Sequence, residues 1–94
     1  MIQHIVMFRL EGDYGDAALR FKKAIEELPG KIDGLISAHV YIDNRDTESN
    51  WTLALTSEVR DAAALSAYAT HPAHLACVAI IKPHIAARAC VDAR

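Results

Sequence analysis

Ile2-Gln3-His4-Ile5-Val6-Met7-Phe8-Arg9-Leu10 decides the fold. The stretch lacks Gly and Pro and is rich in β-branched and apolar residues, so it reads as a strand. Side chains alternate along a strand. Ile2, His4, Val6 and Phe8 therefore share one face, and Gln3, Ile5, Met7 and Arg9 the other. Period-2 alternation normally leaves one face polar. Here both faces are apolar at their centres, so both are expected to be covered. The domain's own helices can cover one face, and another subunit is the economical cover for the second.

The rest of the chain supplies those helices and three more strands. Asp13 to Leu28 carries Ala18, Phe21, Ile25 and Leu28 at helical spacing, with Arg20, Lys23, Glu26 and Glu27 on the outer side. That pattern predicts an amphipathic helix, with Asp13 or Asp16 placed to cap its start. Pro29 disfavours helical geometry at Leu28, and Gly30 provides the turn. Leu35 to Ile42 predicts a second strand, with Ile36, Ala38, Val40 and Ile42 on one face and Leu35, Ser37, His39 and Tyr41 on the other. The polar run Asp43 to Asn50 is a hairpin loop. Trp51 to Val59 is a third strand, apolar on its Trp51, Leu53, Leu55 side. Asp61 starts a helix through Tyr68, and Pro72 starts another in which His74, Cys77, Val78, Ile81 and Ile85 share a face. Arg88 to Asp92 is a short last strand.

The order is β-α-β-β-α-β with the second helix broken in two. This is an α+β, ferredoxin-like arrangement: a four-stranded antiparallel sheet with helices on one face. The other face, left bare and apolar, would be an association site. Two such sheets packed face to face make a dimeric α+β barrel, so a homodimer through the open sheet face is expected.

Composition narrows the function. The chain has 94 residues, room for a single domain over 1-94. Its formal net charge is −2 and no basic cluster exceeds Lys22-Lys23, so no nucleic-acid partner is expected. Apolar runs such as Leu75 to Ile81 are too short to cross a bilayer, and the N-terminus lacks signal-peptide features, so no membrane association is expected. Cys77 and Cys90 do not make a disulfide framework, and reduced thiols in the cytoplasm are the simplest reading. There is no phosphate-binding glycine loop, dinucleotide fingerprint or Gly-x-Ser-x-Gly elbow, so the expected cofactors are none.

The chemistry gathers at Tyr68-Ala69-Thr70-His71-Pro72-Ala73-His74. If Pro72 is the first helical residue, His74 falls in the first turn, beside the positive end of the helix dipole. That environment disfavours imidazolium and suits a general base. The plainer role is an imidazole that bonds a backbone carbonyl and packs. The Tyr68 hydroxyl can donate to a developing oxyanion or simply sit satisfied in the core. His71, before the proline, suits a cap or an orienting group beside a pocket. His4 lies on the helix-covered strand face, where a polar ring needs a partner; Tyr68 or His74 can serve. His39 and His84 read as surface residues. A metal at His71 and His74, joined by His4, finds no Cys, Asp or Glu at matching spacing, and none is expected. Val6, Phe8, Phe21, Ile25, Leu55, Cys77, Val78 and Ile81 line a cavity if the protein takes a ligand, and fill it if the protein is only structural.

Several segments resemble a known family in order and spacing. They are Ile2-Gln3-His4-Ile5-Val6-Met7-Phe8, Leu28-Pro29-Gly30-Lys31-Ile32-Asp33-Gly34-Leu35, Leu53 to Val59, Ala64 to His74, and Val91-Asp92. Together they resemble the stress-responsive A/B barrel domain proteins, small dimeric α+β barrels. The resemblance implies the fold and a homodimer but no single activity. One plant relative in that family, olivetolic acid cyclase, closes a linear polyketide by a cofactor-free aldol condensation. Its catalytic Tyr and His match Tyr68 and His74, and its first-strand His looks like His4. It also uses several aromatics in its first helix, where this chain offers only Phe21, so a different substrate is expected. The functional expectation is an apolar pocket that binds or transforms a small carbonyl or polyketide-like compound by cofactor-free acid/base chemistry. The alternative is a non-catalytic, stress-related structural or ligand-carrier dimer.

Overall fold

The computed structural model describes residues 1–94. In chain order the elements are β1 (Ile2–Leu10), α1 (Gly15–Glu26), β2 (Leu35–Ile42), β3 (Leu53–Val59), α2 (Ala62–Thr70), α3 (Pro72–Ile81), a 3-10 turn (Lys82–His84) and β4 (Ile85–Ala93). The strands form one antiparallel sheet in the order β2-β3-β1-β4. This is the expected α+β, ferredoxin-like architecture. β1 sits between β3 and β4, and its even-numbered residues meet the helices. Val6, Phe8 and Leu10 join Phe21 and Ile25 of α1 and Tyr68, Cys77 and Ile81 of α2 and α3 in one buried cluster. The Phe8 and Phe21 rings meet edge to face at 6.3 Å, a favoured aromatic geometry.

Element ends depart from expectation where local chemistry differs from the pattern. α1 starts at Gly15 behind Tyr14, whose side chain makes no cap bond, so neither Asp13 nor Asp16 caps it. Its C-terminus stops at Glu26, and Glu26 accepts from Lys22 Nζ (2.8 Å) and from the Val40 backbone N–H (3.1 Å). Lys22 also donates to the Val40 carbonyl at 2.8 Å. Both outward backbone groups of Val40 on edge strand β2 are thus held by α1, which fixes the helix on the sheet and blunts that edge.

Two strands differ from the pattern of the sequence. In β2 the register advances two residues between Leu35 and Ser37 while β3 advances one. This bulge reverses the alternation: Leu35 is buried at 5% exposure and Ile36 stands out at 48%. Ile36 therefore does not share the face of Ala38 and Val40. The last strand runs from Ile85, not from Arg88. Pro83 ends the helical run in the 3-10 turn, so Ile85 pairs with Leu10 in the sheet and does not extend the α3 stripe. His84, expected at the surface, is half-buried and donates from Nδ1 to the Glu11 carbonyl at 3.0 Å.

The odd-numbered face of β1 has no helices over it. Met7 (36%), Tyr41 (59%) and Val91 (61%) are exposed there, with Ile36 beside them. No single helix is long and apolar enough to cross a membrane.

Candidate functional site

The site forms where the broken helix crosses the sheet. α2 and the run from Pro72 to His84 meet at a bend of 59°. His71 makes the bend. It holds the extended geometry (φ −64°, ψ 133°) that proline imposes on its predecessor. Its Nδ1 accepts from the Ala73 N–H at 3.0 Å, capping α3. The ring is thereby committed to the helix, and His71 does not border the cavity described below.

His74 is the third helical residue of α3, as the position of Pro72 predicts. Its Nδ1 lies 3.1 Å from the Ala69 carbonyl. A carbonyl only accepts, so the neutral ring carries its proton on Nδ1 and leaves a lone pair on Nε2. Burial holds the imidazole below its ordinary value of 6.5; the Ala69 bond opposes that shift, and the charges of His4, Arg88 and His71 reinforce it. His74 is therefore neutral near pH 7.

His4 meets a partner that the sequence did not reveal. β1 and β4 pair His4 with Asp92, and Nδ1 donates to Asp92 Oδ1 at 2.5 Å. The opposite ring nitrogen has no protein partner and is not sealed from solvent. Cys90, on the same face of β4, brings Sγ to 3.7 Å from His4 Nδ1. The clue lay in the last strand: Arg88, Cys90 and Asp92 alternate on one face, the one that register turns toward the helices.

Tyr68 lies between the two imidazoles. Its ring centroid is 4.5 Å from that of His74 and 6.2 Å, edge-on, from that of His4. The side chain is fully buried, and its hydroxyl shares a 3.2 Å hydrogen bond with Ser57. Burial raises its pKa, against the Ser57 bond, so the phenol stays protonated at neutral pH. It does not border the cavity, and its hydroxyl faces Ser57, the satisfied core role left open beside that of an oxyanion donor.

A cavity of about 350 Å3 opens between the sheet and α3, within the range of small-ligand sites. Val6, Phe8, Phe21, Leu55 and Val78 are its apolar walls, and His4 and His74 its imidazoles. The exposed cations Lys82 and Arg88 also border it, and no acidic residue does. Ile25, Ile81 and Cys77, which would share that lining if the protein takes a ligand, do not border it and fill the core beside it. Ile25 stands on α1 and Cys77 and Ile81 on α3, two helices that pack against each other. Burial pushes the Cys77 thiol up, as for an inert core cysteine. A second depression of about 380 Å3 lies by Met7, Tyr41, Trp51 and Ala54 on the helix-free face; no imidazole borders it.

A family model described as Stress responsive A/B Barrel Domain matches residues 2–94. An uncharacterized protein of Streptomyces coelicolor is 35% identical over 83 residues, 85% of this chain and 86% of its own. The crystal structure of a dimeric protein of unknown function and ferredoxin-like fold from Bacteroides fragilis is similar with a TM-score of 0.88 at 35% identity, covering 97% of this chain and 92% of that one. A dimeric ferredoxin-like protein of unknown function from Thermobifida fusca gives a TM-score of 0.83 at 29% identity, over 97% of this chain and 87% of that one. The chain belongs to the stress responsive A/B barrel domain family.

Proposed function

We propose that this member of the family works as a homodimer in which each cavity takes a small apolar carbonyl compound and moves its protons without a cofactor. One observation carries the reading: a cavity of about 350 Å3 with apolar walls is bordered by two imidazoles, one of them held neutral. His74 Nε2 takes a proton from the carbon beside the carbonyl. The C–H electron pair moves onto the carbonyl oxygen as an enolate. The enolate carbon then attacks a second carbonyl of the same substrate; that carbonyl's π pair moves onto its oxygen, which takes the proton from His74 as the first carbonyl re-forms. His4, paired with the Asp92 carboxylate, would hold the enolate oxygen by a hydrogen bond from its other ring nitrogen when that nitrogen bears a proton, and keeps that proton as the carbonyl re-forms. Arg88 adds positive charge on the same side, which favours a substrate that is anionic or becomes so. Tyr68 positions both rings.

Tyr68 also supports a second reading. A phenol turned to Ser57 adds no donor to the cavity, which suits a carrier that binds such compounds without transforming them. Histidine ring NMR from roughly pH 5 to 8 tests both, with a panel of phenolic and β-keto compounds. His74 is expected to remain neutral below pH 6.5 and to shift when a compound binds. Binding with turnover supports the enzyme, and binding without turnover supports the carrier. A His74 that titrates at its ordinary value and ignores every compound overturns both.

Dimerisation has its own test. Met7, Tyr41 and Val91 give the helix-free face an apolar patch that a second copy would bury. Sedimentation at micromolar concentration is expected to give a dimer, and Met7→Lys a monomer that keeps its helical CD spectrum. A wild-type monomer would refute this assembly.

A further inference from the structure

His4, Cys90 and Asp92 form a cluster whose shape exceeds what one hydrogen bond requires. Nδ1, Sγ and Oδ1 all lie within 4.8 Å of one another. The separations are 2.5 Å for Nδ1 to Oδ1, 3.7 Å for Sγ to Nδ1 and 3.8 Å for Sγ to Oδ1. The thiol and the carboxylate approach the same ring nitrogen. That excludes a nucleophilic triad, in which base and orienter use opposite nitrogens. A proton can bridge only one pair of these atoms, whereas a cation can bind all three.

We propose that the cluster is a binding site for a thiophilic divalent cation of the zinc type. Zinc bonds of about 2.0–2.3 Å at tetrahedral angles put nitrogen and sulfur ligands about 3.5 Å apart and nitrogen and oxygen ligands about 3.3 Å apart. Both sulfur separations are near that value. The Nδ1–Oδ1 pair must open by about 0.8 Å to reach its tetrahedral separation. Asp92 is free to make that adjustment, since its side chain is 44% exposed. All three ligands stand on two adjacent paired strands, with His4 opposite Asp92 and Cys90 two residues before it, so rigid backbone presets them. The ligand set of imidazole, thiolate and carboxylate favours zinc over magnesium or calcium. A fourth position is left to water, because Cys90 and Asp92 are exposed.

Binding has a chemical consequence at the cavity. The metal displaces the Cys90 thiol proton, which goes to solvent. It also takes the His4 Nδ1 lone pair, so the neutral ring carries its proton on the opposite nitrogen. The ion thus selects one tautomer of a ring that borders the ligand cavity. The site rests on the β1–β4 geometry alone and stands or falls separately from the acid/base reading.

The test uses reduced, chelator-treated full-length protein, titrated with Zn2+ by calorimetry and with Co2+ by absorption. The expected result is one ion per chain with micromolar or tighter affinity and a thiolate-to-cobalt charge-transfer band. Cys90→Ser should erase the band, and Cys90→Ser and Asp92→Asn should each weaken zinc binding on the order of 10-fold or more. His74→Gln, outside the cluster, should bind zinc as the wild type does. Absence of binding at micromolar zinc, or binding that both cluster variants leave unchanged, would overturn the site.

Discussion

His74→Ala is expected to lower turnover of a cavity-bound carbonyl compound by roughly 100- to 10,000-fold, the usual contribution of a positioned general base. The loss should fall on kcat more than on KM, because the apolar walls that bind substrate stay in place. The fold should survive. His74 is half-buried, and its side chain makes one hydrogen bond, to the Ala69 carbonyl. Losing that bond removes about 1 kcal/mol, and losing the contact with the Tyr68 ring removes a similar amount. The same variant should abolish the dependence of rate on the titration that sets the acid limb. In the wild type that limb lies below pH 6.5, because burial keeps His74 from taking a second proton. Kinetics and a thermal melt on one preparation decide the matter. Wild-type turnover by the variant removes His74 from the mechanism, and an unfolded variant makes the residue structural.

How far this site could be read from the chain depends on how local each contact is. The bend, the cap and the tautomer of His74 all arise within Tyr68 to His74. Proline geometry and helix-end chemistry act over a few residues, so that corner was legible. The two apolar faces of β1 were legible for the same reason. Asp92 is different: it reaches His4 only through the β1–β4 register, across 88 residues of chain. One sequence does not state a register. The bulge at Ile36 was hidden likewise, because Leu35 and Ile36 are both apolar and neither reports which way the strand turns. The Tyr68 hydroxyl gave no directional signal, and Ser57 lies on a neighbouring strand with nothing in its own surroundings to mark it as a partner. Helical spacing placed Ile25 and Ile81 correctly on the buried faces of α1 and α3. It could not tell a wall of the cavity from the filling behind it, since both are apolar and face the sheet.

Gly34→Ala is expected to destabilise the protein by about 3 kcal/mol, by two separable effects. Gly34 has φ +84°, a left-handed conformation that opposes a side chain and typically adds about 1–2 kcal/mol of strain. A Cβ there would also stand 2.6 Å from the Ala64 Cβ. That neighbour cannot rotate away, because a Cβ moves only with its backbone, and Ala64 is a buried residue of α2. Overpacking of this kind adds about 1–3 kcal/mol. The Gly34 carbonyl accepts from Arg60 N at 2.9 Å, so the loop cannot back away without breaking that bond just ahead of α2. For a domain of this size the melting temperature should fall on the order of 10–20 °C. Adding Ala64→Gly should recover the steric part and leave the backbone part, so the double variant is more stable than Gly34→Ala alone. A double variant no better than the single would mean that the helix does not rest on this glycine. The same contact bears on the site. α2 carries Tyr68, so a shift of the helix at Ala64 should loosen the hydroxyl from Ser57 and alter the ring on which both imidazoles lean.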